Sequence, residues 1–149
     1  MKILFINGSP NKNGNTAALA KELLRGKDYE TLSLTDHKIY SYGQSYADDE
    51  MDLVLSKIKE SDVVVVGSPL YWHNICGAVR DVLDRFYGLV DSGELSGRTL
   101  FFLFQGAAPE QWMLEAGEYT MKRFASLYGM SYAGMATNRQ EAKKLSEKL

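Results

Sequence analysis

The sequence predicts an α/β domain: a parallel sheet with helices on both faces. Three observations carry this. VVVVG (63–67) and TLFFLF (99–104) are short, continuous apolar runs, as expected of strands covered on both sides. Between such runs lie stretches with apolar residues three and four apart, the spacing of amphipathic helices. The two kinds of segment alternate about five times along 149 residues, and strands alternating with helices imply right-handed crossovers into one parallel sheet.

Each element has its own justification. KILFI (2–6) reads as a buried strand. TAALAKELLRG (16–26) reads as a helix with Leu19, Ala20, Leu23 and Leu24 on one face and Gly26 as its stop. YETLSL (29–34) alternates like a short strand. Residues 49–61 place Met51, Val54, Leu55 and Ile58 on one helical face. VVVVG is the third strand, and SPLYWHN (68–74) reads as a loop. Residues 75–90 form a helix with Val79, Val82, Leu83, Phe86 and Val90 on its stripe. TLFFLF is the fourth strand, residues 110–129 a long helix closed by Gly129, and residues 130–136 the fifth strand. The polar tail 139–148 reads as a short, frayed helix. No repeat, low-complexity stretch or linker divides the chain, so residues 1–149 are expected to form a single domain.

Composition narrows the function. Hydrophobic residues make up 45% and charged residues 24%, the balance of a globular protein, and the net charge of -2 offers no basic footprint for nucleic acid or an anionic membrane. The expected partner is a small molecule. Cys76 is the single cysteine, so neither an intrachain disulfide nor a set of thiolate metal ligands is available. With no signal-like N-terminus and no long apolar run, the expected location is cytoplasmic, without a membrane partner.

In a doubly wound sheet, ligands bind beyond the carboxyl ends of the strands. Three loops qualify. The first, 7–15, holds Gly8, Ser9, Asn11 and Gly14, then Asn15 and Thr16 at a helix start. Gly8 is expected to give a sharp exit from the strand and Gly14 a close backbone approach. The helix start offers free N–H groups and a favourable dipole to an anion. Five residues separate Gly8 from Gly14, and Asn15, not lysine, stands directly before Thr16, so neither the triphosphate P-loop nor the dinucleotide fingerprint fits. The loop suits a monophosphate held by neutral donors; the competing reading is a capped helix after a turn. The second loop carries Pro69, Leu70, Tyr71 and Trp72, whose aromatics suit a flat apolar ring or simply cap the core. His73 has no evident carboxylate partner. The third loop, Gln105, Gly106 and Ala107, offers small residues and exposed N–H groups. Asp84 and Arg85 read as a helix-surface or subunit-contact ion pair, and Cys76 as a small buried residue near a helix start.

Together GSPNKNGNT, DDEMDLVLSKIKESDVVVVGSPLYW and GAVRDVLDRFY resemble the NAD(P)H-dependent FMN reductase family of the flavodoxin-like superfamily, over about residues 3–136. The resemblance implies a flavodoxin-like three-layer sandwich, with a five-stranded parallel sheet in the order 2-1-3-4-5. It implies non-covalent FMN, NADPH or NADH as co-substrate, a small-molecule electron acceptor, and a homodimer. It assigns Ser9, Asn11, Gly14, Asn15 and Thr16 to the FMN phosphate, Pro69, Leu70, Tyr71 and Trp72 to the isoalloxazine ring, and Gln105, Gly106 and Ala107 to the ring's far edge. It nominates no catalytic side chain. Three departures stand out, one being a short stretch after the fifth strand, which implies a reduced last helix and altered edge packing and dimer contacts. Where some relatives carry cluster-binding cysteines, this chain reads DHKIYSYGQSYADDE, which excludes an iron–sulfur role there, and Asn11 stands where many relatives have arginine. A flavodoxin-type electron carrier and a cofactor-free binding module on the same fold are the alternative readings.

Overall fold

A computed structural model describes residues 1–149. Its elements are β1 (Ile3–Asn7), α1 (Asn15–Leu23), β2 (Glu30–Ser33), α2 (Met51–Glu60), β3 (Val63–Tyr71), β4 (Asn74–Ile75), α3 (Gly77–Arg85), β5 (Thr99–Gln105), α4 (Gln111–Tyr128), β6 (Ser131–Ala136) and α5 (Arg139–Leu145). Five strands form a parallel sheet in the order β2-β1-β3-β5-β6. The expected five-strand order is present, but with an addition: β4 pairs antiparallel with β3, making six strands.

Period-two alternation sorts the core into two layers. Leu4, Ile6, Val64, Val66, Leu100, Phe102 and Phe104 face α2, α3 and α4. Ile3, Phe5, Val63, Val65, Phe101 and Leu103 face α1 and α5. Every residue of β1 is buried, and so are the four valines of β3. Both faces of these strands are therefore covered, which is why they read as unbroken apolar runs.

Three expectations are corrected. The segment 68–71 continues β3 instead of forming a loop: Ser68 pairs with Phe104 and Pro69 with Gln105. β1 has already ended at Asn7, opposite Gly67, so the missing N–H of Pro69 breaks no ladder on that side. The helix expected over 75–90 is shorter, ending at Arg85 before a turn in which Gly88 takes the left-handed conformation (φ 77°). The tail is not frayed: α5 docks on α1 with Ala142 and Leu145 buried. Gly129 closes α4 in the left-handed conformation, as read from the sequence.

The Asp84–Arg85 expectation is also corrected. Asp84 pairs with Arg80 one turn back on the helix surface, at 3.5 Å. Arg85, at the end of α3, instead reaches the irregular segment between β2 and α2. Its guanidinium forks onto Asp49 (2.9 and 2.5 Å) and donates to the Tyr40 carbonyl (2.9 Å). Ser41 adds a hydrogen bond to Asp81 of α3 (3.0 Å). The fork holds the Asp49 carboxyl below its usual range and raises Arg85, with both side chains largely shielded from water. Because the folded-state pKa of Asp49 is depressed, its contribution is present above the ordinary carboxylate range and is lost as pH falls through the folded value. Arg85→Ala is expected to cost about 2 kcal/mol, lowering the melting temperature by about 4–8 °C at neutral pH, with a smaller deficit below about pH 4. Thermal melts across pH check both the size and the convergence.

Candidate functional site

The carboxyl ends of β1, β3 and β5 lie side by side, and the segments leaving them meet at one edge of the sheet. After β1 the chain builds a ladder of local hydrogen bonds. Asn7 Oδ1 accepts from the Ser9 N–H (3.0 Å), Ser9 Oγ from Asn11 N–H (3.1 Å), and Asn11 Oδ1 from Asn13 N–H (3.1 Å). Each is a side-chain oxygen satisfying a donor two residues on, the turn chemistry that Asn and Ser favour. The ladder consumes alternate N–H groups. It leaves those of Asn15, Thr16 and Ala17, at the start of α1, without an acceptor in the chain. Gly14 caps the helix in extended conformation and supplies no side-chain cap. Asn7 is 1% exposed, and its Nδ2 is a buried donor with no partner. Lys12, the loop's cation, pairs with Asp36 at 2.6 Å.

The glycines act differently from expectation. Gly8 is not left-handed. Its N–H donates to the Gly67 carbonyl (2.8 Å), and a Cβ there would stand 2.4 Å from Val79 Cγ2, so Gly8 lets α3 approach. Gly67 does the same for α1: a Cβ would meet the Thr16 methyl at 2.6 Å and the Phe5 ring at 2.8 Å. Thr16 is fully buried in this contact, and its Oγ1 accepts from Gln105 Nε2 at 3.3 Å. The first and third segments are thus joined by a hydrogen bond. The second and third are joined by packing, since a Cβ on Gly106 would lie 3.0 Å from Leu70 Cβ.

The segment after Gly67 forms a hairpin. Ser68, fully buried, donates to the Pro69 carbonyl (2.7 Å) and accepts from the Cys76 N–H (2.9 Å). Leu70 pairs with Ile75 and Tyr71 with Asn74, leaving Trp72 and His73 as the turn. Both are left-handed, with φ of 46° and 66°. A two-residue turn of this hand matches strand twist but normally recruits Asn or Gly, so the pair stores backbone strain. The turn holds Trp72 outward at 95% exposure, which rules out the reading that it caps the core. A groove of about 390 Å³ lies beside it, its walls including Leu70, Trp72, His73, Gly106, Ala107 and Met113. Tyr71 points the other way by strand alternation and is not part of the wall. His73 packs edge-on to Trp112 (centroids 5.7 Å apart), and the Trp112 indole donates to Glu110 (2.7 Å).

Cys76 is a buried residue at the start of α3, its thiol donating to the Gly8 carbonyl at 3.5 Å. A small apolar void of about 10 Å³ under the sheet, bordered by Ile6, Val66 and Phe86, lies within the core and is no part of the site. Asn7 and Ser68 were missed in the sequence reading. Their signal was a polar residue directly ending an apolar run. The arrangement supplies neutral donors at a helix start and a groove of mixed lining, with Leu70, Trp72 and Met113 beside His73 and Glu110, a strand away; no group of three His, Cys, Asp or Glu residues is placed to hold a metal ion.

The chain is similar to known proteins. Residues 1–140 match the family described as NADPH-dependent FMN reductase. An iron-sulfur flavoprotein of Archaeoglobus fulgidus is 35% identical, covering 57% of this chain and 48% of its own length. An NADPH azoreductase of Bacillus sp. (strain OY1-2) is 32% identical, covering 56% and 49%. The chain therefore spans about half the length of the curated relatives it matches. The solved structure of Trp repressor binding protein from Bacillus subtilis superposes with a TM-score of 0.79 at 20% identity, over 96% of this chain and 98% of that one. That likeness establishes the flavodoxin-like fold.

The strained turn generates a stability prediction. Replacing Trp72→Asn together with His73→Gly is expected to raise folding stability by about 1 kcal/mol, because these residues take the left-handed region at lower cost. Urea denaturation of the double variant measures it.

Proposed function

This chain belongs to the NADPH-dependent FMN reductase family, and from that premise we propose that it is an NAD(P)H oxidoreductase using non-covalent FMN to reduce a small acceptor. The observation that supports it best is the convergence of three segments: unpaired helix-start donors, a buried orphan amide and a groove walled in part by Leu70, Trp72 and Met113, tied together through Thr16–Gln105 and Leu70–Gly106.

The residues fit the two ends of FMN. A phosphate needs several donors, and the N–H groups of Asn15, Thr16 and Ala17 are unspent, as is the Asn7 amide. The Ser9 hydroxyl donates in no hydrogen bond within the chain, and the Asn11 amide nitrogen is likewise free. Gly14 keeps the helix start bare of a competing side-chain cap. A flat ring needs an apolar slot with a few polar fixings. Pro69 and Leu70 extend β3 beside Gln105, and the N–H groups of Gly106 and Ala107 have no backbone acceptor. In this reading Trp72 borders the ring from the hairpin, and Tyr71 lies outside the slot.

FMN, held by the start of α1 at its phosphate and by the second and third segments at its ring, would supply the hydride and electron chemistry. The chain's own contribution is to bind and orient. Helix-start and loop N–H groups are preorganised, so they stabilise negative charge without rearranging. The Ser68 hydrogen bonds and the Gly106–Leu70 contact fix the hairpin against the third segment and set the slot's width. No proton-transfer side chain is required. The acceptor is a quinone, a nitro or azo compound, or free flavin. The azoreductase relative gives support to the azo class.

The test is spectroscopic. Protein loaded with FMN and freed of excess is expected to be yellow and to bleach anaerobically with NADPH or NADH. Its colour should return on adding an azo dye or a naphthoquinone. A yellow protein unmoved by both nucleotides would replace the reductase reading with an electron carrier, and a protein that retains no flavin would end it.

A further inference from the structure

The phosphate end described above lacks a free cation. Its loop contains one, Lys12, whose ammonium already pairs with Asp36 at 2.6 Å. A phosphate monoester carries between one and two negative charges near neutral pH. Neutral donors and a helix start offset only part of that.

A second groove, about 220 Å³, opens at the same edge of the sheet. Asn15, Ala18 and Leu19 of α1 form one side, Thr137, Asn138 and Arg139 the other, with Gln105 between them. It shares Asn15 with the phosphate end, and Gln105 hydrogen-bonds Thr16 there. The fold creates this adjacency: α1 and α5 pack side by side on one face, and β6 delivers the first residue of α5 next to the first residues of α1.

Arg139 is oddly placed for a structural residue. It takes part in no ion pair. The nearby carboxylate of Glu141 is occupied by the Thr137 N–H (2.7 Å) and hydroxyl (2.8 Å), while the Glu141 N–H goes to Asn138 Oδ1 (2.9 Å). Arg139 thus sits in the first turn of a helix, where cations are disfavoured and acids belong, with its charge unanswered. An anion in the groove would answer it.

We propose that Arg139 is the cationic half of the anion site whose neutral half is the segment Ser9–Ala17, and that it charge-pairs with the terminal phosphate of the flavin. This rests on the FMN reading above. A guanidinium is suited to the role: it is always charged and presents its donors as a planar fork matching two phosphate oxygens. The position also accounts for a first loop with Asn11 and no unpaired cation, since the charge comes from the far end of the chain.

The experiment compares FMN with riboflavin, which lacks the phosphate, by flavin fluorescence titration at low and high salt. Wild type, Arg139→Ala and Arg139→Lys are used. Arg139→Ala is expected to weaken FMN binding about tenfold at low salt and leave riboflavin binding unchanged. Arg139→Lys should recover part of the loss, and the salt dependence seen for wild type should flatten in the alanine variant. Circular dichroism confirms that the exposed substitution leaves the fold intact. Equal FMN affinity in wild type and Arg139→Ala, or equal weakening of both flavins, would overturn the proposal while leaving the FMN reading in place. Wild type binding neither flavin would overturn both.

Discussion

The site depends on how Thr16 is seated. Its methyl occupies the space that a side chain on Gly67 would fill, and its hydroxyl accepts from Gln105. This one contact sets the start of α1 directly over β3 and within reach of β5. The unpaired N–H groups of α1 therefore open onto the same edge as the other two segments. Any residue larger than glycine at 67 would push the helix start outward and separate the donors from the groove. The remaining glycine contacts serve the same end. Gly8 admits Val79, so α3 comes close enough for Ser68 to accept from the Cys76 N–H, and that bond holds the hairpin.

Apart from the proposed Arg139, the candidate site is built from backbone and neutral side chains, and its physics follows. Turn oxygens spend some N–H groups internally so that others stay free and fixed in direction, which avoids reorganisation when an anion arrives. The forked ion pair of Asp49 with Arg85 lies away from the site, where it secures an irregular segment to α3. Structural charge and site chemistry are thus kept apart. The strain in the Trp72–His73 turn is the exception. There the chain accepts an unfavourable backbone to set an indole at the groove's rim, a pattern typical of functional positions.

Much of this was legible in the sequence. The buried strands announced themselves as VVVVG and TLFFLF, because a parallel sheet covered on both faces leaves no polar alternation to blur the signal. The rule that ligands lie beyond strand ends picked out three segments, and the fold brings those segments to one edge. The parts that escaped depend on contacts between residues distant in sequence. Pro69 argued for a loop, and only the end of β1 opposite Gly67 makes it tolerable in a strand. No Asn-Gly pair marked the hairpin, since a strained Trp-His turn stands in its place. Arg85 finds its partner 36 residues earlier, which helical spacing cannot reveal. Gly8 read as a sharp exit from the strand and Gly67 as the end of a strand, whereas the value of both lies in what packs against them.

The measurement closest to the central claim is an amide NMR titration of the isotope-labelled protein with FMN. It reports where the flavin sits residue by residue, without relying on activity. The account predicts that the Asn15, Thr16 and Ala17 amide resonances shift most, downfield as free N–H groups acquire a phosphate acceptor, with a second cluster at Leu70, Gly106 and Ala107. Shifts centred on the opposite end of the sheet, around Met1, Asp28 and Lys57, would contradict it, as would saturation with FMN that leaves the start of α1 unmoved.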